Sequence, residues 1–513
     1  MGRYRAKGVI TVFFSLTSVL ILSLICTTLE SARVQGARAQ AANIADMGNY
    51  SVFGEYEKKL LEKYEIFAVD GSYGTGDFSI ERVNGRLRSY LQKNAAVAEN
   101  GLVGLCFDPW NLKLDDSKIQ EYALLSDQGG EVFYQQAVAY MKKTIVAAGI
   151  GKLFQYHHDA VTAKSKQEEY QRNKDSSDQD MKELEKQENE KKKALEEQKE
   201  TGDTAGAKQT EEMVPSENVS NPLKMIKKLI RKSILELVCP EADISDKKVS
   251  GKELSSKRSN KKGNMKLESK YSGLTSDLLF REYLLDHFPN YLSKEKEGKL
   301  DYQIEYLIGG KKSDKDNLKS VVRQLLLLRE GMNYMYCVRD SEMSAATESL
   351  AALLIGWTGI PSLVTVMKHA LLLGWAYGES LMDVRILLSG GKVPLMKSPE
   401  SWVVTLDNLG RLDELLENAG DSHKEGSSYL DYLRILLNLQ SVSDQTKRSL
   451  DMVELNLQSI AGLSNFRVDH CVVGIREKTE WTIKPIFLRV STAFLGTSQS
   501  DICVTADSGF AYH

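Results

Sequence analysis

GVITVFFSLTSVLILSLICTTL, residues 8–29, carries no charge and is bracketed by Lys7 and Glu30. At about 1.5 Å per residue, a helix of this length crosses a hydrocarbon core of about 30 Å. The segment reads as one membrane span. Arg3, Arg5 and Lys7 crowd its short N-terminal side, so the positive-inside rule leaves residues 1–7 in the cytoplasm and the chain beyond Glu30 outside. Ser15, Thr17, Ser18, Ser23, Thr27 and Thr28 can return their hydroxyls to the preceding helical turn, which makes them compatible with insertion. They can also bond a neighbouring helix, which allows self-association.

A cleaved secretory signal has an apolar region of about 7–15 residues with a small-residue cleavage site close behind it. This run is longer, and the one usable A-x-A, Ala37-Arg38-Ala39, lies well past its end. A retained anchor is therefore preferred to a removed signal. Cys26 is a poor lipoprotein cysteine, because the residue before it is the bulky Ile25.

With 513 residues, 42% hydrophobic and 27% charged, the chain can bury a sizeable core and has the length of two or three domains. A net charge of −3 removes any global argument for nucleic acid. Outside the span lie Cys106, Cys239, Cys337, Cys471 and Cys503, with no C-x-x-C. An odd number at wide spacing argues against a dense disulfide framework and against a zinc site. If one bridge forms, Cys471 with Cys503 is the first pair to test.

Downstream of the span, residues 30–67 lack proline and carry a helical stripe at Ala41, Ile44, Ala45, Val52, Tyr56, Leu60 and Tyr64, so the helix is expected to continue. Such a lever can pack on copies of itself or on its own head domain. The cluster Val69-Asp70-Gly71-Ser72 with Gly74 and Gly76 is expected to end it. Mixed structure follows: a helix over 81–94, a strand over 110–114 and a helix over 131–150.

Between Ala160 and Met213 there are 11 Lys/Arg and 15 Asp/Glu with few large apolar residues. Leu184 and Leu195 are too isolated for a heptad seam, leaving a solvated helix or a disordered insertion. Residues 223–238 form an amphipathic basic helix, suited to a core position with a solvated face or to an anionic membrane surface. Residues 245–270 hold nine Lys/Arg against three acids without interleaved aromatics. That is poor evidence for nucleic acid; a soluble linker is the simplest reading, and anionic cell-wall polymers are the partner such a segment would suit.

Helices are expected over 318–337, 342–356 and 361–388, the last starting at Pro361 and stopped by Gly390-Gly391. It is apolar nearly all round, which marks the centre of a bundle. Lys368, His369, Glu379, Asp383 and Arg385 interrupt it and exclude a second span. Helices continue over 406–419 and 428–460, and the period changes to strand-like from Phe466, with Val468, Val472, Trp481, Ile483, Phe487 and Val490.

The fold class expected is thus α+β, mainly α-helical. Its order is a cytoplasmic tip and transmembrane helix (1–29), an extracellular mixed region (30–155), a charged, partly disordered insertion or linker (156–270), a helical domain (271–465) and a C-terminal β-rich segment (466–513).

Candidate chemistry is sparse. Glu379 and Asp383 stand four apart on one helical face with Arg385 nearby; they could form an acid/base pair, but structural partners such as Arg323 and Arg329 are the simpler account. His157-His158-Asp159 point to different faces of a helix, which disfavours a metal site. Strand alternation would separate Asp469 and Cys471 from His470. Gly309-Gly310-Lys311-Lys312-Ser313 lacks the first glycine of a phosphate loop and reads as a turn. No catalytic, cofactor or metal residue is assigned.

The run KGVITVFFSLTSVLILSLICTTLESARVQGARAQAANIADMGNYSVFGEYEKKLLEKYEIFAVDG, with EYLIGGKKSDKDNLKSVVRQLLLLREGMN and WAYGESLMDVRILLSGGKVPLMKS, resembles an uncharacterised Gram-positive family encoded beside Tad-type pilus machinery, loosely akin to TadE/TadG-like pseudopilins. The resemblance implies a pseudopilin-like region over 30–155 and a single-pass surface protein, not an enzyme, that works in assembly of, or secretion by, a pilus-like system. Its partners would be the lipid bilayer and pilin-like helices. It also implies a processing site after Gly8, before Val9. Phe13 stands where such pilins carry glutamate, a departure that weighs against processing. The alternatives are a membrane-tethered enzyme acting on the cell wall and a ligand-binding ectodomain.

Overall fold

In the computed structural model α1 runs unbroken over Tyr4–Phe53; the residues described are 4–99, 110–200, 221–239, 244–252, 254–293, 298–417, 425–489 and 500–512. Arg3, Cys106, Met213, Ala419 and Val490, named above, lie outside them. The chain forms two units: Met1–Tyr140 with Ser255–Tyr271 and Val453–His513, and Met141–Leu254 with Ser272–Met452.

In the first unit α1 changes character along its length. Val9, Phe13, Leu20 and Leu24 are exposed, whereas Ala37, Ala41, Ile44, Ala45, Asn49, Val52 and Phe53 are buried. These buried positions recur at helical spacing, and the small alanines let the helix approach its neighbours closely. Gly36 serves the same end, because a Cβ there would stand 2.2 Å from the Trp110 ring. Ser15, Thr17, Thr27 and Thr28 donate to carbonyls three or four residues back, as expected. The helix stops at Phe53 rather than at the 69–76 turn cluster. A turn at Gly54 and Glu55 separates it from α2 (Lys58–Tyr64), whose N-cap is Glu57.

β1 (Val69–Asp70), α3 (Ile80–Glu99), β2 (Leu112–Leu124) and α4 (Glu131–Thr144) follow, and the sheet is completed by β3 (Cys471–Ile483) and β4 (Ile502–Ala511). β3 is central and antiparallel to all its partners: β2 lies along one edge, and β1 and β4 share the other. The C-terminal strands therefore belong with the N-terminal region, and β2 is far longer than the strand expected at 110–114. Alternation on β3 turns Ile475, Glu477, Thr479, Trp481 and Ile483 inward and leaves Arg476 and Glu480 exposed. The inward residues pack with α1 and α3 through Ile44, Val52, Val83, Leu87 and Leu91. Each large aliphatic side chain so buried contributes about 1.5–3 kcal/mol.

Residues 255–270 of the segment read as a basic linker are instead part of this unit, and residues 245–254 belong to the other. Asn264 Oδ1 accepts from Tyr122 N at 2.9 Å, Asn264 N donates to Tyr122 O at 3.0 Å, and Gly263 N donates to the Asp127 carboxylate. The 255–270 part thus occupies the free edge of β2, satisfying backbone groups that an open edge would leave unpaired.

The second unit is helical. α5 (Ala147–Glu200) is a single helix over the charged region, so the disordered alternative does not hold for residues 147–200. Its buried positions are Leu153, Ala160, Ala163, Tyr170, Ser177 and Leu184, a stripe with steps of seven and one of three in which small residues and a tyrosine lie between two leucines. After α6 (Leu223–Ile230), α7 (Ile234–Val238), α8 (Leu274–His287) and α9 (Gln303–Gly309) come α10 (Asp314–Arg339), α11 (Ser341–Ile355) and α12 (Pro361–Leu388). α12 is buried over Leu371, Leu372 and most of 374–388, as its composition demands. α5 lies on α10: the Tyr170 and Tyr334 rings are 5.6 Å apart, and a Cβ on Gly331 would stand 2.8 Å from the Gln167 backbone. α13 (Leu412–Glu417), α14 (Tyr429–Asn438) and α15 (Val442–Gln458) follow, with a break after Asn438 where one helix was expected over 428–460.

Candidate functional site

Directly below the apolar segment, α1 carries Glu30 and Arg33, one helical turn apart and both buried. Arg33 Nε donates to Glu30 Oε1 at 2.8 Å, and its guanidinium also reaches the carbonyls of Trp110 (3.0 Å) and Lys484 (2.7 Å). Glu30 Oε2 accepts from the backbone N–H groups of Ile486, Phe487 and Leu488 at 3.0, 2.7 and 3.2 Å. Charge-assisted bonds of this kind are among the strongest available to a protein. They fasten the foot of the apolar segment to the segments around Trp110 and 484–488. Glu30 was read only as the boundary of the span; its role depends on residues more than 450 positions away, which no local pattern reveals.

The acid pair of α12 is deeply buried. Glu379 accepts from Lys397 Nζ at 2.5 Å and from Val403 N and Val404 N. Asp383 Oδ2 accepts from Arg329 Nε and Asn333 Nδ2, each at 2.9 Å, while Lys397 Nζ is 2.7 Å from its Oδ1. Arg329 also donates to the carbonyls of Pro394 and Leu395. Burial, together with the Asp383 charge, raises Glu379 above the usual carboxylate range. Burial opposes charge on Asp383 too, but Arg329, Lys397 and Asn333 outweigh it and hold its carboxyl low. Two acids and two bases neutralise one another and bind the 394–404 loop to α12. Arg329 is an expected partner. Arg323 and Arg385 do not join: Arg385 donates to the carbonyls of Leu237 and Cys239.

The other motifs resolve into local structure. His157 Nδ1 lies 3.3 Å from Asn438 Oδ1, and Asp159 accepts from Gln155. Among the described residues no group of three or more His, Cys, Asp or Glu could hold a metal ion. Val468–His470 is a 3₁₀ turn, so the strand-alternation argument does not apply there. Asp469 is instead engaged by Arg258 at 2.7 Å and by Lys261 N at 3.0 Å. Cys471 Sγ donates to Arg467 O, and neither ring nitrogen of His470 has a hydrogen-bond partner among the described residues. Gly310 has a left-handed φ of 60° and ends α9, and Ser313 caps α10 by accepting from Asp316 N, the turn expected of this stretch. The Cys471–Cys503 bridge is not formed and both cysteines are free. Cys471 pairs with Asp70 at one end of β3 and Cys503 with Thr482 at the other, about 36 Å apart along the strand.

Two further acids are withdrawn from water. Glu305 Oε1 accepts from Tyr291 N and Tyr429 Oη, yet burial pushes it up to about 7. Among the described residues Glu477 on β3 has no hydrogen-bond partner on either carboxylate oxygen, and burial, with the Asp46 charge added, pushes it up to about 8.

No curated protein and no solved structure matches the chain. A family of unknown function, DUF5702, matches residues 212–483, more than half of the 513 residues and a range that takes in α6 to α15 and β3. The chain is a member of the DUF5702 family.

Proposed function

We propose that this protein is a membrane-anchored structural or assembly component of a Tad-like pilus or a related secretion system, with its folded units on the outer face of the membrane and no enzymatic role. The observation that carries the reading is the contrast along α1: an uncovered apolar end of bilayer length, followed without a break by a buried stripe and the Glu30/Arg33 clamp. An anchor joined in this way transmits lateral contacts made in the membrane to the body it carries. Removal of the N-terminal segment after Ala39 would cut α1 inside its buried stripe, between Ala37 and Ala41, which supports a retained helix. The basic side chains Arg3, Arg5 and Lys7 support the orientation. The resemblance to pseudopilins supports the assembly role, and the exposed lysines of the 255–271 segment suit anionic wall polymers as a further contact. The acid pair that a wall-acting enzyme would need is already occupied by Lys397 and Arg329.

Affinity isolation of the full chain from cross-linked membranes is expected to recover pilus or secretion components; recovery of none overturns the role. Protease added to wall-stripped cells should remove both units, and protection of both overturns the orientation. Mass spectrometry of the mature N-terminus separates the fates of the leader: Met1 or Gly2 means an anchor, Val9 means pilin-like processing, and Gln40 means a secreted protein.

A further inference from the structure

Where α1 crosses the sheet of the first unit, four oxygen-bearing side chains meet. Asp46 and Asn49 lie one helical turn apart on α1. Ser508 on β4 donates to Asp46 Oδ1 at 2.6 Å and accepts from Asn49 Nδ2 at 2.8 Å. Directly opposite Ser508 in the strand register is Glu477 on β3. Residues directly opposite on an antiparallel pair have Cβ atoms about 5 Å apart on the same face, so Glu477 lies beside the group that holds Asp46 and Asn49. Glu477 is 0% exposed and Asn49 1%. Both Glu477 oxygens and Asn49 Oδ1 are buried without a hydrogen-bond partner among the described residues. Asp46 is exposed and lies at the mouth of the cluster.

A buried carboxylate with no donor is costly, and adding a second acid beside it makes it costlier. The same residues form a consistent set if they are regarded as ligands. The ligating atoms are all oxygens, with the Glu477 and Asp46 carboxylates to balance a double charge and the neutral amide oxygen of Asn49 beside them. Hard divalent cations take such sets at extracellular modules, with affinities in the millimolar to sub-millimolar range, whereas zinc prefers nitrogen and sulfur. We propose that the Glu477 carboxylate, Asn49 Oδ1 and the Asp46 carboxylate bind one calcium ion, with Ser508 orienting the two α1 ligands. The ion fastens α1 to β3 and β4 and makes the first unit's packing depend on calcium. The inference rests on the packing of that unit alone, and stands or falls independently of the pilus role.

The test is equilibrium dialysis of the full chain in detergent, stripped with a chelator, against labelled calcium, with thermal melting alongside. Saturable binding of one ion in the millimolar range or tighter is expected. Glu477→Gln and Asp46→Asn should each weaken it by about tenfold or more, since each removes a ligand charge. Calcium should raise the melting temperature of the wild type and leave that of Glu477→Gln unmoved. Failure of the wild type to bind, or binding by the two variants as tight as that of the wild type, overturns the proposal. Should Glu477→Gln not fold, Asp46→Asn at the exposed mouth decides the matter by itself.

Discussion

The acids of α12 and the acid of β3 are equally hidden from water but differ in what surrounds them. Glu379 and Asp383 have Lys397, Arg329, Asn333 and two backbone N–H groups aimed at them; Glu477 has no hydrogen-bond partner among the described residues. Two carboxylates inside an apolar helix draw attention as chemistry, yet here the partners consume their charge and turn them into a fastening for a loop. A lone glutamate in a strand draws none, although its unmet bonding capacity is what points to a ligand. In this chain burial is common to both cases, and the partner set tells them apart.

The largest expected effect breaks the paired cluster. Arg329→Met leaves Asp383 buried with its main counter-charge gone and should cost about 3–5 kcal/mol in chemical denaturation. A replacement that removes all four charges together should cost less than the sum of its parts, because no unpaired charge is left behind. Equal, additive losses would mean that the cluster is not a unit.

Glu305 falls between the extremes, with one oxygen satisfied and the other, Oε2, not. Its folded value of about 7 lies above the ordinary 4.5, so the folded chain keeps this proton after the unfolded chain has lost it. Stability attributable to the group is therefore full below about 4.5 and declines as pH rises toward 7. The decline should reach about 3 kcal/mol at most. Glu305→Gln should flatten the stability profile between pH 5 and 7, and an unchanged slope would remove Glu305 as its source.

What the sequence made legible follows the range of the interactions concerned. The apolar segment, the Pro361 helix start, the turn at Gly310 and the strand period of Val472, Trp481 and Ile483 are local patterns that the structure realises, whereas Val468 lies in a 3₁₀ turn and Phe487 in helical backbone where strand was expected. α5 was obscured because its buried stripe uses Ala160, Ala163, Tyr170 and Ser177 in place of leucines. The end of α1 was misplaced because the apolar spacing continues past Gly54 into α2. The partners of Glu30, Asp383 and Asp469 are Lys484 to Leu488, Lys397 and Arg258, and nothing in the spacing of a single sequence announces such pairs. The pairing of β3 with β2 is of the same kind.

The Glu30/Arg33 clamp belongs with the paired class, and its loss should be moderate. Glu30→Gln removes the charge that three amides and Arg33 share, at a cost of about 1.5–3 kcal/mol. Hydrogen exchange should then quicken at Ile486, Phe487 and Leu488 before it does at β3; uniform quickening would mean that the clamp acts globally.

The smallest effect is expected at Glu477 in the presence of a chelator. Substitution of a charged residue at a fully buried site ordinarily ranks among the more damaging changes, because a partner is stranded. No donor among the described residues is stranded here, since none of them is hydrogen-bonded to either oxygen, and glutamine preserves the shape. Glu477→Gln without calcium should therefore stay within about 1 kcal/mol of the wild type, several-fold less than Arg329→Met. A loss as large as that of the α12 cluster would mean that Glu477 has a structural partner, and the contrast between the two sets of acids would disappear. A small loss in chelator that grows once calcium is added would locate the missing partner in the ion itself, because only the wild type gains stability by mass action from a ligand that the variant has lost.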